Sequence, residues 1–321
     1  MLNNILARRV LIVLGKGGVG KSTLSAAIAK LAANAGASAL VMECDTRAPL
    51  AAAFGVEPSF EPQSVAPNLS LMTLDGRHAL EQYLRIVVPG RMLLKAVFAS
   101  RLYQFFVQAA PGLRELMMLG KVCYEAGRLA ANAPHRGIIV VDAPASGQAM
   151  SLLKMPAAAR ATFGESIVGK ESANISKMLR DRRQCAIVQV TTADSLSVSE
   201  TIETHAELTR LHLAPAAVLF NRSIPADFDA KDIAALAKRR GARGKQKHLD
   251  HLAELAASQL HRASESRAAL AKVRAAVKEP VIEIPEHRGL AGIQLIESLA
   301  ADLADAESIA PRTVHRTTSD R

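Results

Sequence analysis

The chain has 321 residues, 49% of them apolar and only 3% aromatic, with a formal net charge of +10. That length supports one large α/β domain or two small ones, and no apolar run approaches the roughly 18 residues that would cross a membrane. The first charges, Arg8 and Arg9, follow a short apolar stretch, the wrong order for a signal peptide, so a cytoplasmic protein is expected.

Seven short apolar runs read as strands buried on both faces: Val10–Leu14, Ala39–Glu43, Leu69–Leu74, Ile138–Val141, Ala186–Thr191, Ala217–Phe220 and Val281–Ile284. Helical patterns lie between them. Thr23–Ala35 is Ala-rich and follows the first strand at once, and Ser195–Leu211 follows the fifth, with Asp194 as its first-turn acid or cap. Strands alternating with helices imply a mainly parallel sheet with helices on both faces, a three-layer α/β sandwich. Ligands in such sheets sit at the carboxyl ends of the strands.

Three stretches are longer than a crossover needs. Residues 76–131, broken at Pro89-Gly90 and Pro111-Gly112, residues 156–184 and residues 227–278 are expected to be helical insertions on a single domain spanning residues 1–306. The polar tail from Glu307 to Arg321 has no apolar period and is expected to be disordered.

The most specific chemistry lies directly after the first strand, in Gly15-Lys16-Gly17-Gly18-Val19-Gly20-Lys21-Ser22-Thr23. Glycines there let consecutive backbone N–H groups turn inward around phosphates, and the helix that follows points its positive end at the same anion. In such a loop Lys21 reaches the β- and γ-phosphates, Ser22 coordinates Mg²⁺, and Thr23 sits near the α-phosphate. The second strand ends at Glu43-Cys44-Asp45, which puts Asp45 where an attacking water would need orienting. The run Ile138–Val141 ends in Asp142, placed to hold the Mg²⁺ shell through water, and Gly147 follows as a γ-phosphate sensor. Asn221, at the end of the sixth run, can both donate to and accept from the edge of adenine.

Lys16 gives the loop the pattern KGGVGKST, which resembles the deviant Walker A ATPases. Asp45, Leu50, Ala53, Phe54 and Gly55 resemble the first switch of the arsenite-pump and tail-anchored-protein-targeting branch of that class, with Ala48 and Ala52 where that branch has histidine and aspartate. Asp142, Ser146, Gly147, Leu152, Leu153 and Pro156 are similar to its second switch, with Gln148 in place of histidine. The resemblance implies a P-loop NTPase fold and Mg²⁺-dependent ATP hydrolysis, with Lys16 crossing a nucleotide-sandwich dimer to meet phosphate on the other subunit. It also implies adenine contacts at Asn221, Pro285 and Glu286, and it fits Glu200-Thr201. The dimer would be homomeric, or a heterodimer with a related ATPase.

The partner is less constrained. Residues 76–131 hold all three tyrosines, Tyr83, Tyr103 and Tyr124, together with Phe98, Phe105, Phe106, Met92, Met117 and Met118. Such a segment suits either its own core or an apolar client helix or membrane-associated protein. An arsenite-stimulated pump subunit is a second reading, but the three cysteines, Cys44, Cys123 and Cys185, are dispersed and read as buried thiols; no zinc site is expected. A positioning ATPase at the membrane or on DNA is a third. The basic cluster Lys238–Lys247 allows that but reads as a solvated face, and the C-terminus has no basic amphipathic helix for a membrane; binding to DNA would show a marked salt dependence, and nucleic acid is not the expected partner.

Overall fold

A computed structural model describes residues 2–45, 47–87, 90, 112–132, 137–213, 215–225, 229–238 and 246–309. The chain opens with α1 (Leu2–Leu6), β1 (Val10–Gly15), α2 (Lys21–Asn34), β2 (Ser38–Glu43), α3 (Pro49–Phe54), β3 (Gln63–Ala66) and β4 (Leu69–Thr73). It continues through α4 (Gly76–Val87), α5 (Leu113–Asn132), β5 (Gly137–Asp142), α6 (Ser146–Phe163), α7 (Ile167–Arg180), β6 (Cys185–Thr191) and α8 (Ser195–Arg210). The last elements are β7 (Ala217–Ser223), α9 (Ala230–Lys238), α10 (Gln246–Ala276), β8 (Val281–Pro285) and α11 (Gly292–Ile309).

The strands form one sheet in the order β3-β4-β2-β5-β1-β6-β7-β8, parallel except for the β3–β4 pair. All seven strands expected from apolar runs are present, with ends shifted by at most three residues. The eighth, β3, escaped the apolar-run criterion because it is a four-residue edge strand, Gln63-Ser-Val-Ala, that is nowhere fully buried. The chain is thus an α/β protein of the P-loop NTPase type, a mostly parallel sheet covered by helices.

Both faces of the sheet are closed, which explains why its strands read as continuous apolar runs. On one face Leu11, Val13, Val41, Val140 and Val188 pack with α2, α3 and α11. On the other, Ile12, Leu14, Met42, Ile139 and Val141 pack with α4, α5, α6 and α7. The alanines of α2, among them Ala26, Ala27 and Ala29, are fully buried, so their small side chains bring this helix close over the centre of the sheet. Pro156, expected to open the second insertion, lies inside α6. The helix survives the lost backbone bond because Leu152, Leu153 and Ala159 around it are buried against the sheet. Ile175 and Leu179 of α7 join the same cluster.

Around β7 a third cluster joins Val218 and Phe220 to Val198 of α8 and to Leu270 and Val273 of α10. Pro89 and Pro111, where breaks were expected, lie outside the described residues. Met92, Phe98, Tyr103, Phe105 and Phe106, the tail from residue 310 onward and most of the basic cluster lie outside the described residues. Among the described residues no helix is long and apolar enough to cross a membrane.

Candidate functional site

The carboxyl ends of β1, β2, β5, β6 and β7 converge on one edge of the sheet, and nearly every residue singled out for chemistry sits there. β1 delivers Gly15 against β6: a Cβ at Gly15 would fall 2.3 Å from the Val190 carbonyl oxygen, and its φ is +154°. Gly20, at φ +92°, ends the loop where a Cβ would fall 2.5 Å from the Asn221 amide nitrogen. By contrast, a Cβ at Gly17 or Gly18 would meet nothing within 4 Å, so the loop is closed toward the protein and open outward. Gly15→Ala is therefore expected to destabilise the fold by about 2 kcal/mol or more, because two backbones must part, while Gly17→Ala stays within about 0.5 kcal/mol. Thermal melts of the two variants check this, and equal melting temperatures would refute the close approach.

Helix α2 starts at Lys21 with no side chain capping its first turn, which leaves its leading amides for an external acceptor. Lys21 Nζ donates to the Lys16 carbonyl oxygen at 3.0 Å. Burial pulls the Lys21 ammonium below its ordinary pKa, and the nearby carboxylates of Asp142, Glu200 and Asp45 work against that shift. Lys16 Nζ lies 3.0 Å from Asp194 Oδ2, and that oxygen also accepts from the Ser197 amide and hydroxyl. Asp194 is the cap of α8, as its position before Ser195 predicted. In this arrangement, then, both loop lysines are held by partners within the same chain.

Asp142 ends β5 beneath α2 and is 3% exposed. Ser25 donates to its Oδ1 at 3.2 Å, and Ser22 hydrogen-bonds to the same carboxylate. Burial raises the Asp142 pKa, opposed by these hydroxyls and by Lys21. A buried carboxylate beside a hydroxyl at the mouth of the loop is a suitable hard-oxygen set for Mg²⁺. Asp45 lies beyond the end of β2, close enough to Lys21 and Asp142 to act on both. Its two oxygens are engaged by Arg47, at 3.1 and 2.7 Å, and this pairing holds its carboxyl below the usual range.

Asn221, Pro285 and Glu286 meet in a cavity of about 310 Å³ with Gly20 and Thr23. β7 and β8 are neighbours, and this pairing brings together residues more than sixty positions apart. Asn221 is buried, and its amide nitrogen donates to the Val19 carbonyl at 2.8 Å. Glu286 is gripped by Arg262 of α10 and by Arg288. Gly147 lies in the exposed first turn of α6, lining a cleft with Glu200 and Glu203 of α8. Val19 is the loop's one apolar side chain and is buried.

Two residues at this edge were missed by the motifs. Ser25 looks like any small residue of an Ala-rich helix. Glu43 had a faint one, a carboxylate closing an otherwise apolar strand. Cys44 and Cys185 are buried and Cys123 partly so; all three are free thiols. Tyr83 and Tyr124 line a groove of about 430 Å³ between α4, α5 and α7, together with Ile86, Leu116, Met117 and Ile167.

Sequence comparison agrees with this geometry. The model of the family described as anion-transporting ATPase matches residues 8–171 and 166–261. ATPase BagA of Mycobacterium tuberculosis is 32% identical over 237 residues, covering 72% of this chain and 69% of that protein. The uncharacterised protein SCO2128 of Streptomyces coelicolor is 33% identical over 149 residues, or 46% of this chain and 37% of its own length. A Halobacterium salinarum protein, provisionally named an arsenical pump-driving ATPase, is 43% identical over 76 residues, 23% of this chain and 12% of that one. With the family model spanning most of the sheet and its phosphate-type loop, this chain belongs to the anion-transporting ATPase family.

Proposed function

We propose that the protein is a Mg²⁺-dependent ATPase that works as a dimeric switch, converting nucleotide state into grip and release of a partner. The observation that carries this reading is the convergence at one sheet edge of the outward-open loop, Lys21, the Ser22–Asp142 pair and the Asn221 cavity. ATP fits that edge in one orientation. Its base lies in the cavity with Asn221, Pro285 and Glu286, where the Asn221 oxygen can accept from an exocyclic amino group. Its phosphates lie along Gly15–Thr23 and the uncapped start of α2.

Ser22 and Asp142 would hold Mg²⁺, which supplies charge neutralisation across the β- and γ-phosphates. Lys21 leaves the Lys16 carbonyl for a stronger, anionic acceptor. Asp45 is held ionised by Arg47, which makes it a weak proton acceptor. It therefore orients the attacking water and does not remove its proton. Gly147, at the start of α6, offers a backbone N–H whose contact with the γ-phosphate is lost on hydrolysis.

Lys16 would act on the nucleotide of a second subunit, a copy of this chain or a related ATPase. The groove at Tyr83, Ile86 and Tyr124 is the surface offered to an apolar client. The decisive experiment measures the mass of the protein in solution with ADP and with Mg²⁺ plus a non-hydrolysable ATP analogue. A shift to dimer with the analogue alone supports the switch. A monomer in both conditions, without ATP turnover, would sink the homodimer form of the proposal.

A further inference from the structure

Glu43 is the residue at this edge that the proposed mechanism leaves unused, and its surroundings are unusual. It is the last residue of β2, it is 0% exposed, and it lies in register with Thr73 of β4 and Asp142 of β5. Its Oε1 accepts from the Leu50 amide at 2.6 Å, and the Ala51 amide also bonds to the carboxylate. Those amides belong to the first turn of α3, which no local side chain caps: the residue before it, Ala48, has no acceptor and sits at φ +48°. A carboxylate on the preceding strand thus does the work that an N-cap side chain normally does. Its second oxygen, Oε2, has no hydrogen-bond partner, and neither does the buried hydroxyl of Thr73 beside it.

Between Glu43 and Leu50 runs the connection that carries Asp45. We propose that Glu43 is a positioning residue for Asp45, its side chain closing that connection by tying the end of β2 to the start of α3. The alternative, a carboxylate buried only to fill space, fails on chemistry. An apolar side chain would fill the same volume without the cost of burying a charge, but it would leave two helix-end amides unsatisfied. The clamp also accounts for Ala48 in the left-handed region, since the chain must turn sharply to bring Leu50 back over Glu43. Burial, with the neighbouring Asp142 and Asp45, raises the Glu43 carboxyl pKa, and the Leu50 and Ala51 amides oppose that shift. The charged groups around it are Asp142 on β5 and Asp45, with Lys21 of α2 facing both of them.

The inference rests on the reading in which Asp45 orients water, so the test has one arm that needs no nucleotide. Hydrogen exchange of the nucleotide-free protein should show Leu50 and Ala51 amides exchanging at least about 10-fold faster in Glu43→Met than in Glu43→Gln, which keeps an acceptor oxygen. In the ATPase arm Glu43→Met should lower kcat by about 10-fold or more while KM for Mg·ATP stays within about 3-fold, and Glu43→Gln should restore kcat. Native protection of Leu50 and Ala51 in Glu43→Met would overturn the clamp. Accelerated exchange with unchanged kcat would overturn its link to Asp45. If the unmutated protein hydrolyses no ATP, the functional reading fails, and the exchange arm still decides the clamp. Should Glu43→Met not fold, Glu43→Gln decides through the two amides: native protection of Leu50 and Ala51 is expected, and its loss would overturn the clamp.

Discussion

Lys21→Ala should abolish productive Mg·ATP binding and lower hydrolysis by about 1,000-fold or more, the scale seen when a preorganised charge donor is removed from a reacting centre. The geometry makes this residue hard to replace. Its ammonium is partly desolvated, donates to one neutral carbonyl, and faces three carboxylates, Asp142, Asp45 and Glu200. A polyphosphate arriving at the loop would be a far better partner than the Lys16 carbonyl. Without Lys21 the same three carboxylates repel the incoming anion. Nucleotide binding by fluorescence titration and phosphate release should both fail in the variant while the fold persists. Full activity would sink the phosphate-loop assignment.

Lys16→Ala should behave differently. It should leave nucleotide affinity within about 3-fold yet slow hydrolysis by about 100-fold or more, as the removal of a charge supplied from across an interface does. In the free subunit Lys16 is paired with Asp194, an exposed contact of the kind that competing anions break readily. Asp194 is held down to about 2 by Lys16 and Ser197. A carboxyl with so depressed a pKa keeps its stabilising charge at all higher pH and loses it only as pH falls through about 2. No physiological pH change therefore opens the pair; a competing phosphate must. Asp194→Asn keeps the helix cap, because asparagine caps as well as aspartate, but it weakens the hold on Lys16. It should bring dimerisation to a lower concentration of the ATP analogue. Sedimentation of the two variants checks both expectations, and a monomeric, fully active Lys16→Ala protein would refute action across a dimer.

The sheet was legible because most of its strands are closed on both faces and so spell near-continuous apolar runs. β3 was not, because an exposed edge strand of four residues has no reason to be apolar. Pro156 read as the start of an insertion because the chain from there to Gln184 is longer than a crossover needs, yet it lies inside α6, a position that proline's local preference disfavours. Burial of the surrounding face of α6 outweighed that preference, and only the packed structure contains that burial.

For the candidate site the division is similar. Gly15–Thr23 is contiguous, and its glycines, lysines and hydroxyls are short-range requirements of a loop that wraps an anion, so the sequence alone determined it. Asp142 and Asp45 followed from their place at strand ends. The ties between distant segments belong to the fold. Lys16 meets Asp194 across 178 residues, Ser25 meets Asp142 across 117, and Asn221 meets Val19 across 202. Strand order brings these pairs together. Strand order follows from which helix faces pack on which sheet face, a property of the whole chain that no local pattern encodes.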